Sequence, residues 1–144
     1  MIVDLVPAMY VAALYTASRY VNWRGNIRQG LVLDVLALNW LVCEIAREFI
    51  PYPDIVPAYI AIDLVSALSL FRHVKGRCAG IAEIFYIALV LFNAAFFFMR
   101  AFNEWTHWAG LSVLSWAQFL CVAGGMMRHD IVKAAHRFSA WLGI

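Results

Sequence analysis

Asp63 is the residue of this chain whose chemistry is hardest to reconcile with its neighbours. It is the ninth residue of the apolar stretch Ile55 to Phe71, and a helical rise of about 1.5 Å per residue carries it close to mid-bilayer. An ionised carboxylate at that depth costs about 3 kcal/mol or more unless it is paired, hydrated or protonated. No Lys or Arg falls at matching depth in the other apolar stretches. The polar residues that do are Asn39 and Gln118, with Tyr86, Asn93 and Ser115 at neighbouring depths. A carboxylate can take up a proton or a cation, and amides and hydroxyls can solvate or relay it. The same residues can instead bond helix to helix and do nothing else.

A second candidate group is Glu44 and Glu48, one helical turn apart and flanking Arg47. They are expected at the outer end of the second apolar stretch, where carboxylates concentrate cations. Asp34 and Glu83 open their stretches from the inner side and favour the positive ends of helices there. His73, His107, His129 and His136 lack metal-ligand spacing, and Cys43, Cys78 and Cys121 are isolated. Nothing matches a nucleophile elbow, a zinc-protease helix, a phosphate loop or a C-x-x-C pair. The expectation is therefore a protein without catalytic residues, metal or cofactor.

What must position these groups is written in the charge. Nine of the 11 Lys and Arg residues fall in three segments: Arg19, Arg24, Arg28; Arg72, Lys75, Arg77; and Arg128, Lys133, Arg137. Only Arg47 and Arg100 lie near the two alternate connections. Basic residues at every second loop indicate a chain threaded through a bilayer with its basic loops inside. The 144 residues are 65% hydrophobic and 14% charged, far from ordinary soluble usage. A net charge of +2 gives no reason to expect nucleic acid.

The predicted fold is all-α: a compact bundle of about five transmembrane helices over residues 1–128. The spans are expected at about 3–18, 31–50, 55–71, 79–99 and 108–127, the first short but extendable through Tyr20 and each later one near the length a bilayer requires. Basic connections are expected at Arg19 to Gly30 and Arg72 to Cys78, with polar ones at Pro51 to Asp54 and Arg100 to His107. The N-terminus is then outside and the C-terminus cytoplasmic, in a membrane of bacterial inner-membrane type. Residues 129–144 read as a basic amphipathic helix on the inner surface, with Lys133 and Arg137 on its polar face.

Small residues recur at four-residue spacing in the first span (Ala8, Ala12, Thr16) and the fifth (Ala117, Cys121, Gly125), a pattern that lets helices approach closely. In span number and tryptophan content the chain resembles the tryptophan-rich sensory (translocator) proteins. Its first loop, Arg19-Tyr20-Val21-Asn22-Trp23-Arg24-Gly25, lacks that family's proline, and no site is carried over. The functional expectation is an oligomeric pore or permeation component with a polar path at Asp63. The alternative is a non-catalytic anchor or structural subunit of a larger assembly. Expected partners are the lipid bilayer and other copies or other membrane subunits.

Overall fold

The computed structural model describes the backbone of residues 5–99 and 103–142, and the side chains of residues 9–99 and 103–124. Among the described residues there are five helices and no strand: α1 (Leu5–Trp23), α2 (Ile27–Phe49), α3 (Val56–His73), α4 (Arg77–Met99) and α5 (Glu104–Leu142). Successive helices pack on one another, and α5 returns to touch α1 and α2. Two of them, α2 and α4, are long and apolar enough to cross a membrane. Five such helices were expected; the others mix polar residues into their length, such as Arg19 and Asn22 in α1 and Asp63, Arg72 and His73 in α3.

The turns at residues 24–26 and 74–76 are shorter than the sequence suggested, because the chain caps its helices tightly there, whereas the connection between α2 and α3 takes residues 50–55. At the end of α1 the Asn26 N–H reaches back to the Val21 carbonyl (3.2 Å), with Gly25 at φ +79°. That left-handed step favours glycine at a helix end. Asn26 then caps α2 by accepting from the Gln29 N–H, so residues 24–26 alone make the connection. Arg19 and Arg28, predicted in a loop, stand on helices. The next turn at that end, residues 74–76, passes through Gly76 at φ +140°. At the opposite end Pro57 sits in the first turn of α3, where its missing N–H costs nothing.

The fifth helix begins earlier and continues further than predicted. Asn103 accepts from both the N–H and the hydroxyl of Thr106 (2.8 and 2.9 Å), an N-cap that starts α5 at Glu104. The helix then runs 39 residues, about 58 Å at the usual rise. It is unbroken from Glu104 to Leu142, where a separate surface helix over 129–144 was expected. The side chains of Lys133 and Arg137 lie outside the described residues.

The apolar core occupies the half of the bundle near the residue 24–26 and 74–76 turns. Leu14, Leu33, Leu36, Leu70 and Ala82 are each at most 1% exposed. Polar side chains tie this half together: Gln29 donates to the Val122 carbonyl (2.7 Å), Gln118 to that of Ala82 (3.1 Å) and Tyr10 to that of Ser115 (3.1 Å). Outward, the helices present large apolar side chains, among them Leu38, Leu64, Leu68, Ile84, Leu91 and Val113.

Candidate functional site

Asp63 is 4% exposed and is held from two sides. The Asn39 amide on α2 donates to its Oδ1 (3.0 Å) and to the Ser66 hydroxyl one turn along α3 (3.0 Å). On α4, the Asn93 amide donates to Oδ2 (3.3 Å). With the two amides oriented this way, both carboxylate oxygens accept. Tyr86 lies beneath with its hydroxyl facing Ser66 but making no well-formed hydrogen bond.

The network continues outward from Asn93. Its Oδ1 meets Nε2 of His107 on α5 at 2.9 Å, and His107 Nδ1 meets the Tyr52 hydroxyl at 3.4 Å. With Asn93 donating to Asp63, its oxygen must accept from His107, so Nε2 carries the proton and Nδ1 accepts from Tyr52. Burial and the nearby charge of Glu104 push the Tyr52 phenol up to about 12, so it enters the chain as a hydroxyl. The direction of donation therefore runs from Tyr52 at the half-exposed rim to Asp63 in the interior.

This chain has a second self-consistent polarity. A protonated Asp63 donates to Asn93 Oδ1 once that amide has turned over; the amide then donates to His107 Nε2, and His107 Nδ1–H donates to Tyr52. The two states differ by one proton, on Asp63. The arrangement can register the charge of a buried carboxylate as the tautomer of an imidazole nearer the surface.

His107 is fully buried and stacks with the rings of Phe96 (centroids 4.1 Å apart, 17°) and Phe92 (5.6 Å, 15°). Gly110 makes room for that stack, since a Cβ there would overlap the Phe92 ring. Gly110→Ala is expected to cost about 1–3 kcal/mol through the forced shift of Phe92, measurable as a lowered midpoint in detergent-mediated unfolding.

Beside the network is a cavity of about 600 Å³ between the outer halves of α2 and α5, with Asp63 and Asn93 in its wall. Its sides are mainly aromatic and apolar, with Trp40, Tyr52, Tyr59 and Trp108 prominent. Glu44, Arg47 and Glu104 also line it. Arg47 pairs with Glu44 (2.7 Å) and lies 6.0 Å above the Trp108 ring.

The structure thus brings Asp63, Asn39, Asn93 and Tyr86 together, and puts Glu44 in the same cavity wall. Gln118 is elsewhere, its amide spent on Ala82, and Glu48 is exposed and does not line the cavity. Sequence reasoning missed His107, Ser66 and Tyr52. The signal for His107 was the Asn103-x-x-Thr106 cap, which puts it on a helix. Among the described residues no group of three or more His, Cys, Asp or Glu could hold a metal ion. Comparisons with protein-family models, with curated proteins and with solved structures find no match to this chain.

Proposed function

We propose that this chain is a five-span helical membrane protein that admits protons or other cations from the outer side as far as Asp63, as a component of an oligomeric permeation device. The observation that carries the reading is a buried carboxylate in the wall of a large cavity, linked by an unbroken hydrogen-bond chain to a rim tyrosine. Intramembrane carboxylates usually serve ion or proton pathways. The five-span reading is supported by large apolar side chains pointing outward from every helix, Met9 and Val11 on α1 included. Trp23 and Trp105, 79% and 78% exposed, close opposite ends of helices, as interface anchors do. With Arg24 and Lys75 on turns at one end, that end is inside and the C-terminus cytoplasmic, in a bacterial-type inner membrane.

On the inner side of Asp63 the described interior is filled by Leu33, Leu36, Leu70 and Ala82, so complete transit uses a rearrangement or a neighbouring copy. The reading is tested by proton flux into liposomes. Asp63→Asn is expected to lower it at least tenfold; unchanged flux removes Asp63 from the path.

A second reading is favoured by one observation, the length of α5. About 58 Å of helix exceeds the roughly 30 Å hydrocarbon layer, leaving a rod on the inner side for another subunit. In that role the chain anchors a larger assembly, and a partner that co-purifies in mild detergent is expected to be lost on deleting residues 129–144.

A further inference from the structure

We infer that the cavity beside Asp63 is a binding site for a hydrophobic organic cation, an ammonium head on an apolar or aromatic body. This rests on the permeation reading and names a ligand class for its site. A proton path, or a site for a bare metal ion, needs only a small fraction of 600 Å³; that volume is typical of pockets for small organic molecules. The walls suit such a body. Tyr59 is one helical turn from Asp63 on α3, and Trp40 and Trp108 face the same space from α2 and α5. Aromatic faces attract cations, more strongly where water is scarce.

The charge balance also selects a cation. Asp63, Glu44 and Glu104 line the cavity against Arg47: three carboxylates to one guanidinium. A carboxylate offers about four lone-pair positions, and the amides of Asn39 and Asn93 use one on each oxygen of Asp63. Both amides are neutral, so the charge of the carboxylate stays without a counter-charge at hydrogen-bond distance and can attract a cationic head. The chain itself supplies an example of the binding mode at the rim. Arg47 rests over Trp108 while paired with Glu44, an aromatic face and a carboxylate sharing one cation. Asp63 with Tyr59 repeats that combination deeper in, without a resident cation among the described residues.

The test uses the full chain in nanodiscs of neutral phosphatidylcholine, with radiolabelled benzyltrimethylammonium as probe and empty discs as blank. Saturable binding is expected that an uncharged isostere, neopentylbenzene, does not displace. Asp63→Asn is expected to weaken it at least tenfold, and Trp108→Leu about fivefold. Absence of saturable binding, or equal affinity in wild type and Asp63→Asn, overturns the inference. If Asp63→Asn fails to give a monodisperse protein, Trp108→Leu and the isostere decide the matter: unchanged affinity or full displacement by the isostere overturns it. Proton flux measured on the same proteins is a separate readout. Flux that depends on Asp63 without probe binding rejects the organic-cation site and leaves the permeation reading standing. Probe binding without such flux does the reverse.

Discussion

Asp63→Leu is expected to abolish flux and to destabilise the protein, whereas the triple variant Asn39→Leu, Asp63→Leu, Asn93→Leu recovers stability while remaining inactive. The single substitution removes the acceptor from two buried amides, of which Asn39 keeps Ser66 and Asn93 keeps only His107. An orphaned buried donor costs about 1–3 kcal/mol in a soluble protein. Interhelical hydrogen bonds in membranes average nearer 0.6 kcal/mol. A loss of about 1–2 kcal/mol is therefore expected, read from the unfolding midpoint in mixed micelles. Replacing all three removes the two orphaned amides and the buried charge together, an exchange that approaches neutrality apart from the partner that His107 Nε2 and the Ser66 hydroxyl each lose. The triple variant is expected within about 1 kcal/mol of wild type on that basis. The pair of measurements separates adhesion from function. If Asp63 only joins helices, the triple variant restores everything that can be assayed; if it receives a cation, stability returns and flux does not.

How far this site could be read from sequence depends on the element. Depth along a helix follows from residue counting once its end is known, and for α2, α3 and α4 the counted depths put Asn39, Asp63 and Asn93 near one another, as the hydrogen bonds do. The same counting put Gln118 level with them, because the fifth span was started at Trp108. The Asn103 cap starts α5 at Glu104 instead. In the antiparallel register of α4 and α5, His107 then faces Asn93 and Gln118 faces Ala82, eleven residues further along each helix and about 16 Å deeper. The earlier start accounts for four of those residues, about 6 Å; the rest is the register of α5 against α4, which counting from a helix end does not give. Helix rotation was a second gap: nothing in composition shows that Trp40, Tyr59 and Trp108 turn toward one cavity. That follows only from how α2, α3 and α5 pack. The positive-charge pattern ordered the helices well, yet it did not show that the turns at residues 24–26 and 74–76 are three residues long. Gly25, Asn26 and Gly76 carried that information.

The second large effect is expected at His107, and it is a change of tautomer. Asp63→Asn mimics the protonated acid: one side-chain atom still accepts, and the other now donates. Asn39 has two bonds, to Asp63 and Ser66 at 3.0 Å each, so it keeps the acceptor. Asn93 holds Asp63 by one bond of 3.3 Å, and this longer link gives way first. Its amide turns over, presents its oxygen to residue 63, and directs its NH2 at His107 Nε2. A protonated Nε2 would then face a donor inside the Phe92 and Phe96 stack, a conflict that costs more than moving the proton, since the two neutral tautomers are close in energy. Nε2 becomes the acceptor and Nδ1–H donates to Tyr52. Nitrogen-15 NMR of histidine-labelled protein is expected to show His107 protonated at Nε2 in wild type and at Nδ1 in Asp63→Asn. In Asn93→Leu the link is cut, and Asp63→Asn on that background is expected to leave the tautomer unchanged. A His107 signal that stays at Nε2 in Asp63→Asn would show that the carboxylate and the imidazole are not coupled. A shift that persists without Asn93 would mean the coupling runs through the cavity rather than through the amide.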